Sequence, residues 1–349
     1  MGYYYHPDIG HYMMNDLSES THHPMKPFRV KMAHELIKAY DLDTYMLDID
    51  IPENYLDEID MTIFHADDYI ELLRHINPDN KQEYMDQLIR YNFGEDCPVF
   101  PCLYDYCKTY TAGSLLAANS LACNYSDIGI NWSGGLHHAK KCEASGFCYV
   151  NDCVMAILEL LKTFNRVLYI DIDCHHGDGV EEAFLLTNRV MTLSFHKYGS
   201  FFPGTGSIND IGVESGKYYA VNYPLEEGID DATYHVAFKT VLTEVNNRFK
   251  PEAIFLQCGT DSLSSDRLGM FNLSVKGHGD CVRFVRSLGV PMMLSGGGGY
   301  TLRNVSRCWV YETGVCIGME IKNEIPENKY RDYFCPDYKI HQPVSNIEN

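Results

Sequence analysis

Three aspartates and two histidines fall within residues 171–178, which read Asp-Ile-Asp-Cys-His-His-Gly-Asp and follow a short apolar run. Asp173 and His175 offer a carboxylate oxygen and an imidazole nitrogen, which are ligand types that catalytic zinc ions use. Residues two apart on a strand point the same way, so these two side chains would share one side while Cys174 faces the other. The stretch predicts the metal centre of a hydrolase.

Asp261 offers a third ligand, because it follows the apolar run 253–258 at the end of another predicted strand. Two aspartates and one histidine leave positions on the ion free for water and substrate, as in a catalytic rather than a structural zinc site. A set without cysteine favours Zn²⁺ and leaves Fe²⁺ or Mn²⁺ open. The alternative is a polar turn at residues 171–178 whose carboxylates cap a helix beginning near Gly179.

Two adjacent histidines, His137 and His138, follow a pair of glycines that lets the backbone turn tightly. A catalytic imidazole needs an acceptor on its second ring nitrogen, and Asp171 and Asp178 are the spare carboxylates. Four glycines precede Tyr300, whose phenol could donate a hydrogen bond to an oxyanion. Taken alone, paired histidines are more often surface or core residues than catalysts.

Short apolar runs precede these chemical groups and predict the strands that must position them. The runs are residues 126–132, 167–170, 190–195, 253–258 and 290–295. Such runs are typical of strands buried on both faces of a parallel sheet, and predicted helices at 151–162, 232–249 and 278–287 supply the crossovers. Ligands bind at the carboxyl ends of strands in open α/β sheets. We therefore expect a single α/β domain over residues 1–349, with three layers and a mostly parallel central sheet flanked by helices.

The composition limits the class of protein. With 28 Lys and Arg against 48 Asp and Glu, the net charge of −20 argues against direct nucleic-acid binding and favours a basic partner, unless the acidity only keeps the surface soluble. No apolar stretch reaches the roughly 18 residues of a membrane helix, and the start lacks the pattern of a signal peptide. Thirteen scattered cysteines without a CxxC pair predict reduced thiols in the cytosol or nucleus.

The chain resembles the class I histone deacetylases, which have the arginase/deacetylase fold, from about Tyr3 to Pro336. The matching stretches are residues 23–27, 94–98, 134–140, 146–152, 171–178, 202–206, 257–261 and 296–300. The resemblance implies a zinc-dependent hydrolase that converts acetyl-lysine in histones to lysine and acetate. It implies a role in chromatin regulation and transcriptional repression, on acetylated histone tails, in the nucleus, with the cytoplasm also open.

Individual roles follow from the same resemblance. The implied zinc ligands are Asp173, His175 and Asp261. His138, oriented by Asp178, would act as general base and then as general acid. His137, paired with Asp171, would give electrostatic help, and Tyr300 would hydrogen-bond the acetyl oxygen.

The resemblance also implies substrate and secondary sites. Acetyl-lysine would enter a tunnel lined by Gly146, Phe147, Phe202 and Leu268, with Asp96 holding peptide amides at the rim. K⁺ or Na⁺ would bind beside the zinc at Asp171, Asp173, His175, Ser194 and Phe195, and at a second site formed by Phe184, Thr187, Val190 and Tyr219. An inositol phosphate bridging to a corepressor complex would bind Lys26, Arg267 and Arg303, which could equally be solvated or ion-paired. Arg29 matches the arginine of an internal channel for acetate.

Departures from the family pattern concentrate near the start of the chain. Residues 13–22 replace a shorter glycine-containing turn, and Asp16 and Glu19 add negative charge close to the predicted phosphate site. Cys174 stands where an aliphatic residue is usual, and Thr260 replaces a usual alanine. None of these changes removes a predicted catalytic group.

Three alternatives keep the fold and change the function. The substrate could be a small acetylated amine of the acetylpolyamine type, although Asp96 favours a peptide. The protein could be a non-catalytic scaffold that binds acetyl-lysine, which the complete set of predicted ligands and Tyr300 disfavours. An arginase-like site with two metal ions is the third alternative.

Overall fold

A computed structural model describes residues 1–15 and 23–344 of the chain. Its centre is one sheet of eight strands, in the order β2-β1-β3-β8-β7-β4-β5-β6, and every pair of neighbours is parallel. The strands are β1 (Gly2–Tyr5), β2 (Leu47–Asp50), β3 (Ile128–Asn131), β4 (Val167–Asp171), β5 (Val190–Lys197), β6 (Ala220–Leu225), β7 (Ala253–Gln257) and β8 (Met292–Ser295). Asp16 and Glu19 lie outside the described residues.

Helices flank the sheet, and this arrangement confirms the predicted fold class. They are α1 (Phe28–Ala39), α2 (Glu53–Asp57), α3 (Asp67–His75), α4 (Met85–Arg90), α5 (Leu103–Ala122), α6 (Asp152–Leu160), α7 (Asp178–Phe184), α8 (Asp231–Phe249), α9 (Val275–Ser287) and α10 (Leu302–Ile317). The three predicted helices correspond to α6, α8 and α9. Side chains of Asn151, Asp230 and Ser274 cap their amino ends by accepting backbone N–H bonds.

Each of the five predicted apolar runs overlaps a strand, and β4 and β7 are buried along their whole length. The sequence did not predict β1, β2 or β6. β2 and β6 are the two edges of the sheet, where one side of the backbone needs no partner strand, and their sequences contain aspartates and a proline. The apolar pattern of a strand buried on both faces is therefore missing from them.

The register of the central strands brings the chemical groups together. Asp171 at the end of β4 lies opposite Gln257 at the end of β7, and Gln257 lies opposite Ser295 of β8. Ser295 in turn lies opposite Asn131 at the end of β3. The loops that follow these four adjacent strands consequently leave the sheet side by side. Among the described residues, no helix is long and apolar enough to cross a membrane.

Candidate active site

The three predicted metal ligands meet at the carboxyl ends of β4 and β7. Nδ1 of His175 lies 3.0 Å from Oδ1 of Asp173 and 3.0 Å from Oδ2 of Asp261. Both carboxylates are fully buried, and His175 is 7% exposed. These atoms and the thiol of Cys174 all lie within 4.8 Å of one another, a spacing that a single ion can bridge.

Backbone and amide donors fix the direction of the two carboxylates. The N–H of Gly298 donates to Oδ2 of Asp173 at 2.8 Å, and the side-chain amide of Gln257 donates to the same oxygen at 3.1 Å. The N–H of Cys174 donates to Oδ1 of Asp261 at 2.9 Å. Each aspartate therefore turns its other oxygen towards His175.

The electrostatics of this cluster suit a cation. Burial, and then the charge of Asp173, raise the pKa of Asp261 to about 7, because two carboxylates so close together resist being ionised together. A divalent ion between them removes that repulsion, and two oxygens and one imidazole nitrogen form a donor set suited to Zn²⁺ or Fe²⁺. The residues present therefore fit the implied metal.

Cys174 does not face away from the cluster, so that prediction is wrong. Its sulfur lies 3.5 Å from Nδ1 of His175. The prediction assumed that strand alternation continues through His175, but β4 ends at Asp171 and the following residues turn. The helix-capping alternative also fails, because Asp178 is the first residue of α7 and the residue at its cap, Gly177, has no side chain to accept a bond.

The two adjacent histidines each meet the predicted carboxylate. Nδ1 of His137 lies 2.7 Å from Oδ2 of Asp171, and Nδ1 of His138 lies 2.7 Å from Oδ1 of Asp178. The hydroxyl of Tyr169, which the sequence did not single out, also donates to Oδ2 of Asp171 at 2.6 Å. Each aspartate accepts a hydrogen bond from Nδ1 of its histidine. The Nε2 atom of each imidazole is therefore available for other contacts.

The two imidazoles have opposite protonation preferences. Burial alone would lower the pKa of His137, but the carboxylates of Asp171 and Asp173 outweigh it and raise that pKa to about 9. Burial, and then the positive charge of His137, lower the pKa of His138 to about 4 despite the opposing effect of Asp178. These shifts favour the charged form of His137 and the neutral form of His138.

A cavity of about 350 Å³ leads to this group. It is lined by Asp96, His138, Gly146, Phe147, His175, Ser200, Phe201, Phe202, Leu268 and Tyr300. The structure thus brings together all five predicted substrate contacts and the predicted oxyanion donor. The rings of Phe147 and Tyr300 pack edge-on with their centroids 5.6 Å apart, and the rings of Phe202 and His138 do so with their centroids 4.9 Å apart. Burial raises the pKa of Tyr300 well above its usual value, so it remains a protonated donor.

The sequence did not single out Phe201 or Asp266 of the site either. Phe201 stacks on His175 at 4.9 Å with the rings nearly parallel. Asp266 accepts the N–H of Leu268 at 2.9 Å and the N–H of Tyr300 at 2.7 Å, and so ties the tunnel wall to the loop after β8. No local pattern marks Asp266, because one of its partners is 34 residues away.

The predicted monovalent cation residues lie in or next to β4, α7, β5 and β6. Asp171 and Ser194 face each other in the paired strands β4 and β5, so the first group borders the metal cluster. In the second group, the N–H of Thr187 donates to the carbonyl of Phe184, beyond which Val190 begins β5. Tyr219 adjoins this group, since its carbonyl accepts from Thr192.

The three predicted phosphate contacts, Lys26, Arg267 and Arg303, line a second cavity of about 990 Å³ that also borders Tyr300. All three side chains are exposed, and within residues 1–15 and 23–344 none of them forms an ion pair. The ion-paired alternative is therefore wrong for this part of the chain. Arg29 instead lies inside, donating to the carbonyls of Gly299 and Gly297.

Comparisons with known proteins agree with this geometry. A sequence profile described as the histone deacetylase domain matches residues 23–316. Over 347 residues the chain is 57% identical to Histone deacetylase 19 of Arabidopsis thaliana and to Histone deacetylase 1 of Homo sapiens. These alignments cover 99% of this chain and 68% and 70% of those two proteins. Probable histone deacetylase 1-B of Xenopus laevis is also 57% identical, over 99% of this chain and 71% of its own length.

Proposed function

This chain belongs to the histone deacetylase family and hydrolyses acetyl-lysine in histones, and we propose that it does so with one zinc ion held by Asp173, His175 and Asp261. One observation carries the proposal: His175, His138 and Tyr300 all line one narrow cavity, next to the two buried aspartates. A metal ligand, a free base and a hydrogen-bond donor are the groups that amide hydrolysis requires.

The cavity suits the methylene chain of acetyl-lysine. Its width depends on Gly146, since a Cβ added there would lie 2.5 Å from the ring of His138 and 2.8 Å from Phe202. Phe147 and Phe202 supply apolar walls for a thin side chain. Asp96 at the rim would accept hydrogen bonds from the backbone amides of a peptide, and the net charge of −20 favours lysine-rich histone tails.

Asp173, His175 and Asp261 would hold a divalent ion, which would supply the Lewis acidity that polarises an amide carbonyl and makes a water molecule more acidic. His138 accepts the proton of the attacking water at Nε2, because its Nδ1 is engaged by Asp178. Tyr300 donates a hydrogen bond to the oxygen that gains negative charge, and the cation of His137 stabilises the same charge. His138 then transfers its proton to the lysine nitrogen as the carbon–nitrogen bond breaks, leaving acetate and a free amine.

The secondary sites belong to the same proposal. K⁺ or Na⁺ would bind beside Asp171 and Ser194 and at the second group of residues near the start of β5. An inositol phosphate would bind Lys26, Arg267 and Arg303, because three exposed cations around one cavity, with no ion-pair partner in residues 1–15 and 23–344, suit a polyanion. It would link the enzyme to a corepressor complex in the nucleus, where deacetylation represses transcription.

Acetate release from acetylated histone peptides by the zinc-loaded protein tests the proposal. We expect the unmodified protein to hydrolyse the peptide and to bind one zinc ion per chain. Asp173→Asn should lose both the turnover and the bound zinc. Arg248→Ala, which removes an exposed cation on α8, should keep both. Acetylpolyamine used faster than peptide would favour the small-amine alternative. If Asp173→Asn kept both the bound zinc and the turnover, the proposed ligand set would be excluded.

A further inference from the structure

The first residues of α6 hold the loop that carries the two histidines. Asn151 caps the helix, Asp152 is its first residue, and both side chains are fully buried. We propose that Asn151 and Asp152 are positioning residues that clamp the backbone on both sides of His138 and so fix its imidazole for proton transfer. This inference rests on the proposed role of His138 as the base.

Asp152 holds the backbone before the histidines. The N–H of Gly135 donates to its carboxylate at 2.9 Å, and the N–H of Leu136 donates at 2.8 Å. The hydroxyl of Ser114 on α5 donates at 2.6 Å. No cation pairs with this buried carboxylate among the described residues, so these donors and the amino end of α6 balance its charge. Moving the loop would leave a buried carboxylate without its donors, which is costly.

Asn151 holds the backbone on the other side. Its amide nitrogen donates to the carbonyl of His137 at 3.2 Å and to the carbonyl of Ala139 at 2.8 Å. The amide is itself fixed, since its oxygen accepts the N–H of Val154 and its own backbone N–H donates to Nε2 of His65 at 3.0 Å. Two N–H groups and two carbonyls around His138 are thus bound by two consecutive side chains.

The surrounding space is closed, which makes the clamp rigid. A Cβ added to Gly134 would collide with Asp152 and Ser114. One added to Gly179, in the first turn of α7, would lie 2.6 Å from the carbonyl oxygen of His137 and 2.9 Å from the amide nitrogen of Asn151. Asp178 holds only one ring nitrogen of His138. The rest of the position of the ring therefore depends on the backbone at residue 138, which the clamp holds in place. A misplacement on the order of 1 Å can cost about 100-fold in rate.

Asn151→Ser removes the donors to the loop and keeps the helix cap. Serine keeps the helix cap, because its hydroxyl can accept the N–H of Val154, but it lacks the amide donors to the loop. We expect kcat to fall by about 10-fold with KM and bound zinc little changed, and the melting temperature to fall, because the buried carbonyls of His137 and Ala139 lose their donor. The matched control is Asp230→Ser at the cap of α8, which should change none of these values.

The decisive measurement places Asn151→Ser in a His138→Ala background and follows single-turnover acetate release. If the clamp acts through His138, the loss caused by Asn151→Ser shrinks in that background. An equal loss in both backgrounds, or a kcat for Asn151→Ser within twofold of the unmodified protein, would overturn the clamp. If His138→Ala itself kept full activity, the proposed base would be wrong, and that outcome is distinct from failure of the clamp alone.

Discussion

The imidazole rings of His137 and His138 lie 4.0 Å apart, yet each donates to a different carboxylate. Two cations so close together repel each other, so protonation of one disfavours protonation of the other. The carboxylates of Asp171 and Asp173 favour the protonated form of His137, and burial favours the neutral form of His138. This division lets one ring accept a proton while the other stabilises negative charge.

The division predicts how the two imidazoles titrate in the metal-free protein. The pKa of His138 is lowered to about 4, so the base is available above that pH and is lost below it. The pKa of His137 is raised to about 9, so its charge is lost above that pH. We expect NMR titration of the metal-free protein to show one imidazole that changes near pH 4 and one that changes near pH 9, with apparent values that belong to the pair. If both imidazoles changed near 6.5, the ordinary imidazole value, the assignment would be contradicted.

Removing the phenol of Tyr300 should slow chemistry without weakening substrate binding. The hydroxyl is needed at the oxygen where charge develops, so Tyr300→Phe should lower kcat by about 100-fold to 1,000-fold and leave KM within a few fold. Steady-state kinetics on an acetylated histone peptide measure both constants. A raised KM with unchanged kcat would show that Tyr300 only binds the substrate.

Gly146 should set the width of the tunnel. In Gly146→Ala the new methyl group would press on His138 and Phe202, and the left-handed backbone at this position, with φ of 51°, adds strain. We expect kcat/KM to fall by at least about 10-fold. Gly94→Ala is the matched control, since a Cβ there meets nothing within 4 Å and the backbone is not left-handed. Equal activity of the two variants would refute a narrow tunnel at Gly146.

The second cavity should bind a polyanion through charge. Calorimetric titration with inositol hexakisphosphate should show binding that weakens with added salt and drops about 10-fold or more in Arg303→Ala, because one charge-assisted contact is lost. Arg248→Ala on α8 should bind like the unmodified protein. Identical affinities for the two variants would place the polyanion elsewhere.

The sequence predicted the strands whose surroundings are uniform. β4 and β7 are buried on both faces, so every residue before the last one is apolar or aromatic, and the prediction was confirmed. The edge strands β2 and β6 carry polar residues and proline, and no such pattern marks them. Their pairing depends on neighbours far away in the chain, which a local pattern does not record. The single-domain organisation remains a prediction.

The sequence motifs identified the chemical groups of the site, but not all of the residues that hold those groups in position. His138 and Asp178 were paired correctly from the resemblance, and the structure places them 2.7 Å apart. Asp266 and the clamp residue Asn151 act through backbone atoms of distant segments, so their residue types alone carry no signal. The direction of Cys174 was wrong because the end of β4 is set by its pairing with β5 and β7.

Titration of metal-free protein with Zn²⁺, followed by acetate release from an acetylated histone peptide, tests the account most directly. The three ligands Asp173, His175 and Asp261 form one site. The rate should therefore rise linearly with added zinc and reach a plateau at one equivalent of zinc per chain. Asp261→Asn should give no such break at that concentration. Full activity without metal, or a break only at two equivalents, would contradict a single catalytic ion at this site.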